Sequence, residues 1–318
     1  MKHTTLQSRR LFLAALAGTL GTAALPSWAK FENDRFRIGY QKAASTLVLL
    51  KANGTLEKQL APLGVKVSWT EFPAGPQLLE GLNVGAIDFG YVGEAPPVFA
   101  QAAGADFVYT AYEIPTPRAE GVIVAQDSPI KSVADLKGKK VAFNKGSDVH
   151  WFIVALLRKH GLEYTDIHPV FLAPADARAA LERQSVDAWA IWDPFLAAVR
   201  AQSNARLIAD AEGVASHHQF FLSQREFAQK RKDVIAIAMD ALGKQGQWVR
   251  QNTAEAAAQL APIQGLDAAI IKAGLAHYEH VYRPIDAPVL EQQQRIADAF
   301  YDLKLIPRKI VTKDAALA

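Results

Sequence analysis

The chain has 318 residues, 50% of them apolar, no cysteine and a formal charge of +3. Thiol chemistry and disulfide bracing are excluded, so a packed core must hold the fold. The surplus of base vanishes once Lys2, Arg9 and Arg10 are set aside, since 35 Lys and Arg less 3 leaves 32 against 32 acids. No basic stripe, zinc spacing or P-loop speaks for nucleic acid, a metal or a nucleotide cofactor.

Residues 1–29 are predicted to be an export signal, cleaved near Ala29. They carry three cations and no acid, an apolar run from Leu11 to Leu16, and the end Ser27-Trp28-Ala29, small at both positions a signal peptidase reads. The run is interrupted by Gly18 and Gly21 and falls short of the ~20 residues a membrane span requires. Within it, Ser8 to Leu13 (SRRLFL) resembles the twin-arginine export signal. An ordinary secretory signal that contains Arg-Arg is the alternative, and either route predicts a periplasmic protein.

From Arg35 onward short β-rich runs alternate with helical stretches, which predicts an α/β fold. Strands are expected near Phe36–Tyr40, Val65–Phe72, Asp88–Val92, Phe107–Ile114, Val122–Ala125, Lys140–Asn144, Pro169–Leu172, Ala188–Ile191, Leu207–Ile208 and Gln219–Ser223. Between Val149 and His160 an amphipathic helix is predicted, with Ser147 as its cap, Asp148 in its first turn, Arg158 and Lys159 in its last, and Gly161 as its stop. From Arg225 to about Leu305 the pattern turns helical, with breaks expected at Pro262–Gly265 and Pro284–Pro288. An internal echo links Leu78–Ala100 with Ala180–Val199. Both run as a helix bearing Leu-Glu, a strand with an aromatic residue, an acid, a Pro and a new helix. Duplication and convergence of two βα units remain open as its origin.

The division that follows has two lobes, 35–118 plus 219–318 and 119–218. Open α/β sheets bind ligands at the carboxyl ends of their strands. If those ends face each other the result is a cleft, with Glu113–Gly121 as one crossing and Glu212–Gln219 as the return, together a hinge.

Five segments carry a family resemblance: GYQKAAS from Gly39, FPAGPQLLEGLNVGAIDFGYVGEAPPVFAQAAGAD from Phe72, SPIKSVADLKGKKVAFNKGS from Ser128, PADARAALERQSVDAWAIWDPF from Pro174, and FYDLKLIPRKI from Phe300. Together they resemble the aliphatic-sulfonate-binding proteins of bacterial ABC importers, within the group that also binds nitrate, taurine and thiamine precursors. The resemblance implies a two-lobed periplasmic-binding-protein type II fold, each lobe a mixed, mostly parallel sheet flanked by helices. It further implies a monomer that hands an organosulfonate to the transmembrane subunits of an ABC transporter. Two departures fall at the expected cleft edge: Ala44 where relatives carry Ser, followed by Ser45, and Glu94 where a shorter Asp is usual.

A sulfonate offers three acceptor oxygens and no proton, so its site wants donors. Free amides at a helix start provide them with a favourable dipole. Gly146, Ser147 and Asp148 are therefore candidates to hold the anion, with Ser147 as a plain helix cap the alternative. From the other lobe, Gln41 and the amides of Gly93 and Glu94 are candidates to complete the shell. In Trp189-Ala190-Ile191-Trp192, strand alternation makes Trp192 the choice for the wall against which an alkyl chain lies and Trp189 a core residue. Asp148, Glu94 and Asp193 either cap their own helices or, for Glu94 and Asp193, meet an ammonium group of an amino-sulfonate. Second choices as ligand contacts are Ser45, Lys42, Lys145, Trp151, Asp176 and Arg178, the last as a bidentate partner of the anion. No catalytic constellation organises His150, His217 and His218, so a binding protein is expected and a desulfinating or hydrolytic enzyme on the same scaffold is the alternative.

Overall fold

The computed structural model describes residues 34–317. The expected export signal lies outside them. Two sheets form. The chain builds β1 (Arg35–Tyr40), α1 (Ser45–Asn53), α2 (Thr55–Leu60), β2 (Lys66–Glu71), α3 (Gly75–Asn83), β3 (Phe89–Gly93), α4 (Ala95–Ala103) and β4 (Phe107–Glu113), then leaves for the second sheet. There it builds β5 (Glu120–Val124), β6 (Lys140–Phe143), α5 (Asp148–Lys159), β7 (His168–Phe171), α6 (Pro174–Glu182), β8 (Ala188–Trp192), α7 (Phe195–Gln202) and β9 (Arg206–Asp210). It returns with β10 (Gln219–Gln224) and ends in α8 (Arg225–Lys230), α9 (Lys232–Gln251), α10 (Thr253–Gln264), α11 (Ala268–Leu275), β11 (Tyr282–Pro284) and α12 (Ala287–Asp302).

The strand orders are β11-β4-β10-β3-β1-β2 and β7-β6-β8-β5-β9. In the first sheet β1 runs parallel to β2 and β3, and β10 runs antiparallel to β3 and β4. In the second, β6 runs parallel to β7 and β8, and β5 runs antiparallel to β8 and β9. The two sheets thus repeat one plan, with β3 and β8 in the same slot. The echo in sequence marks that slot: α3, β3 and α4 answer to α6, β8 and α7. Parallel pairing occupies one half of each sheet only, because β5 and β10 enter directly from a crossing and meet their neighbours head to tail.

Each expected strand forms. One short strand was not expected: β11 has three residues and contains Pro284, which an edge strand accommodates because its N–H would face outward. The expected break at Pro262–Gly265 forms. Pro262 sits in the last turn of α10, and the helix runs on to Gln264 before Gly265 ends it at φ 67°. The break at Pro284–Pro288 resolves into β11 and the start of α12, where Asp286 accepts from Val289 N at 3.0 Å.

Apolar faces of β5, β6 and β8 with α5, including Phe143, Phe152 and Trp189, fill the core of the second sheet. A further cluster joins the two halves, since Val98 of α4, Val154 of α5 and Phe300 of α12 pack together. Phe300 is fully buried, its ring 4.9 Å from that of Phe99 and 5.4 Å from that of His150. Phe300→Ala is expected to cost about 3–5 kcal/mol of stability, read as a lower denaturant midpoint at unchanged m-value; a loss under about 1 kcal/mol would contradict this packing.

Candidate functional site

Strand register decides which polar residues meet. Gln219 opens β10 opposite both Gly93, the last residue of β3, and Glu113, the last of β4. Glu120 opens β5 opposite Trp192, the last residue of β8. Both crossings therefore run along the edges where the parallel strands end. They carry Glu113, Glu120, His217 and His218 into the space between the sheets, and all four are buried.

A cavity lies there, with polar lining from Gln41, Ser147, Asp148, His217 and Gln219 and apolar lining from Ala43, Pro96, Trp192 and Tyr278; Gly75 and Gly93 complete it. The space left for water centres is about 10 Å³, room for roughly one water molecule. The Asp148 carboxylate lines the cavity and reaches from the start of α5 to the start of α4. Its Oδ1 accepts from Ala95 N at 3.2 Å and its Oδ2 from Gln219 Nε2 at 3.4 Å. His217 Nδ1 stands 4.0 Å from Oδ2. Gly93 is required by this approach, because any Cβ there would run into the carboxylate.

An anion is thus already gripped by an amide at a helix start, a side-chain amide and an imidazole. The imidazole is the charged member. Burial opposes the charge of His217, but Glu120 at 3.1 Å, with Asp148 and Glu94 behind it, raises its pKa to about 9. Burial raises Asp148 to about 7, partly offset by His217 and reinforced by Glu120 and Glu94. Burial likewise holds Glu113 at about 7.

The residues singled out in the sequence distribute as follows. Gln41, Gly93, Ser147, Asp148 and Trp192 line the cavity. Gln41 donates its side-chain amide to Tyr91 O at 3.0 Å. Ser147 stands at the N-cap position of α5, but its hydroxyl donates to Asn144 O at 2.7 Å and makes no cap bond. Gly146, at φ 76°, donates its N–H to His150 Nδ1 at 3.1 Å. Glu94 accepts from the N–H groups of His217 and His218, both at 3.2 Å, and so clamps the return crossing. Asp193 caps α7 by accepting from Ala197 N at 2.9 Å and meets His277 Nδ1 at 2.6 Å. Trp189 is buried in the core.

The second choices lie further out. Lys42 exchanges contacts with Gln264, and Lys145 lies over the Phe171 ring. Ser45 lines a small neighbouring cavity beside Glu113 and His280, and Trp151 packs edge-on against Phe300. Asp176 is exposed, and Arg178 is held by Glu182 and Gln202. His217, Gln219, Glu120 and Tyr278 were not chosen from the sequence. For Glu120, His217 and Gln219 a signal was available, because a crossing between two lobes must pass the strand ends; Tyr278, beyond α11, carries no such signal.

A larger open groove of about 920 Å³ runs between α7 and α11. Along it Arg206 donates to the carbonyls of Gln126, Ser128 and Ile130, His277 is held by Asp193, and Arg200 stands exposed. The interlobe cavity, where donors converge on one point, is the stronger site. Among the described residues no group of three or more His, Cys, Asp or Glu is arranged to hold a metal.

The charge cluster has a signed consequence for stability. His217 titrates near 6.5 when unfolded and at about 9 when folded, so the folded chain holds a proton that the unfolded chain releases, and stability is lost as pH rises through that window. On the acid side His150 and His280, pushed down by burial to about 3 and about 4, stay neutral in the fold and are lost as assets when pH falls below 6.5. Unfolding free energy is therefore expected to fall by about 1–3 kcal/mol between pH ~6.5 and ~9. His217→Gln should flatten that limb of the melting profile, and stability that rises toward pH ~9 would contradict the assignment.

Comparison with known proteins agrees with this architecture. The NMT1/THI5-like family profile matches residues 63–256. The structure is similar to that of the alkanesulfonate-binding protein SsuA from Xanthomonas axonopodis pv. citri bound to MOPS, at 44% identity and a TM-score of 0.86, covering 89% of this chain and 98% of that one. It is also similar to the periplasmic aliphatic sulphonate binding protein SsuA from Escherichia coli, at 44% identity and a TM-score of 0.82, covering 89% and 97% of the two chains. At greater distance, the taurine-binding periplasmic protein of Escherichia coli (strain K12) is 24% identical over 249 residues, 77% of this chain and 73% of its own length. The two-lobed α/β fold expected from sequence is the fold of these relatives, and the chain belongs to the NMT1/THI5-like family.

Proposed function

We propose that this protein is a periplasmic solute-binding protein that captures an aliphatic sulfonate in the interlobe cavity and presents it to the transmembrane subunits of an ABC transporter. The observation that carries the reading is the set of donors around Asp148: Ala95 N–H, the Gln219 amide and the His217 imidazolium converge on one buried anion. A sulfonate has the charge and acceptor oxygens to take that place, and Trp192 and Tyr278, which line the same cavity, suit an alkyl tail. Relatives at 44% identity named for sulfonate binding, and not enzymes, support it. Export through the first 29 residues and action as a monomer belong to the same proposal.

A second reading has a specific observation behind it. Asp148, Glu94 and Glu120 set three carboxylates around one imidazole, which they keep charged against burial, and this suits a zwitterion such as taurine better than a bare anion. Titration calorimetry with methane-, butane- and hexanesulfonate, taurine, sulfate and nitrate separates these, and the absence of heat with every organosulfonate would end the proposal.

Gln219→Ala is expected to weaken every sulfonate by roughly 1–3 kcal/mol, the scale of a hydrogen bond to a charged group. Trp192→Ala should instead act on the tail. In the native protein each methylene that reaches the indole adds up to about 0.8 kcal/mol, and the variant should flatten that gain from methane- to hexanesulfonate while sparing the headgroup. An unchanged chain-length series would remove Trp192 from the site.

A further inference from the structure

Asp148 occupies the point where an anionic ligand would be held. We propose that it is a built-in competitor for the oxyanion subsite, so that it limits the affinity for sulfonates and makes that affinity depend on pH. This rests on the reading of the cavity as a sulfonate site, and extends it to a residue whose charge opposes the ligand.

Three observations support the role. The carboxylate spans the lobes, since Asp148 opens α5 beyond one sheet while its oxygens take the Ala95 amide and the Gln219 side chain of the other. It lies directly on Gly93, so no ligand atom can share that position. Its hydrogen bonds, at 3.2 and 3.4 Å, are long beside the ~2.7–2.9 Å of a well-made charge-assisted bond, so the donors are loosely used by a planar two-oxygen group. A tetrahedral headgroup cannot enter the remaining space, which holds roughly one water. The carboxylate must leave. Rotation of one side chain at the first position of the helix, or separation of the lobes, accomplishes that without unfolding any element.

The surroundings decide the sign of the pH effect. Facing Asp148 are Glu94 between β3 and α4, Glu120 of β5, His217 and His218 of the return crossing, Gln219 of β10 and Tyr278 beyond α11, with Glu113 of β4 and Asp193 at the end of β8 behind them. A sulfonate stays anionic throughout. With Asp148 ionised, the incoming charge meets the carboxylates against the His217 imidazolium; with Asp148 protonated, one repulsion disappears and a hydrogen-bond donor is gained. Burial and the neighbouring acids place that proton at about 7, while His217 keeps its own until about 9. Affinity should therefore rise as pH falls through the neutral range. Glu113 titrates at about 7 as well, but it is satisfied by His280 N and the Tyr91 hydroxyl and lines the neighbouring cavity.

The test is calorimetry with butanesulfonate at pH ~6 and ~8.5 on the full mature chain. The native protein should bind about 3- to 30-fold more weakly at the higher pH. Asp148→Asn keeps the shape and removes the charge. It should bind about tenfold more tightly than the native protein at pH ~8.5 and lose most of the pH dependence, whereas Glu113→Gln should keep it. Asp148→Ser serves the same purpose if the Asn variant does not fold, and the slope of the native protein alone decides the matter if neither does. A native affinity independent of pH, equal or weaker binding by Asp148→Asn at pH ~8.5, or a slope abolished by Glu113→Gln would each overturn the proposal. If the native protein and both variants bind no sulfonate at all, the functional reading fails and the competitor role goes with it.

Discussion

A single buried imidazolium organises the space between the two sheets. His217 is almost fully enclosed, and burial alone would strip it of its proton; the carboxylates of Glu120, Asp148 and Glu94 reverse that outcome. In return its charge makes it tolerable for those acids to lie out of water. Breaking one member of such a cluster leaves its partners uncompensated, which is far more costly than the net worth of any one pair. The cluster also joins the halves of the molecule, because Glu120 begins the second sheet, Asp148 begins a helix beyond it, and Glu94 and Gln219 belong to the first.

The sheet plan explains why these groups meet. Each sheet keeps its parallel strands on one side and admits, next to its central strand, a strand that has just crossed from the other sheet. Since β10 and β5 run antiparallel to β3 and β8, their first residues lie level with the last residues of those strands. Glu113, Glu120 and Gln219, at the crossing ends, are thereby delivered to the edge where the parallel strands end. Glu94 turns this geometry into rigidity by accepting two consecutive backbone N–H groups of the return crossing. A shorter acid at that position would have less reach, so the length of the Glu94 side chain has a visible structural use.

Much of this was legible in the residues themselves. Strand positions follow from β-rich runs bounded by turn residues, and the echo between Leu78–Ala100 and Ala180–Val199 falls on equivalent slots of the two sheets. Trp192 could be separated from Trp189 by period-two alternation alone. Hydrogen-bond partners were less accessible. Ser147 sits where a cap should, yet its hydroxyl turns back to Asn144, and the Gly146 amide is taken by His150 one helical turn away; both choices depend on where a side chain packs. The position of His217 and Gln219 on a crossing was visible, but their partners were not, because these lie about 70 to 120 positions away and are brought near by sheet register. The break at Pro262–Gly265 was legible for a local reason, since Pro262 falls in the last turn of α10 and Gly265 ends the helix.

The account stands on the claim that the donors now closed around Asp148 are the ones that hold a ligand's acid group. A crystal structure of the protein with an alkanesulfonate tests it most directly. The headgroup is expected on the Ala95 amide and the Gln219 side chain beside the His217 ring, with the tail along Trp192 and the Asp148 carboxylate withdrawn from Gly93. A headgroup seated in the open groove between α7 and α11, with Asp148 still on Ala95, would contradict it.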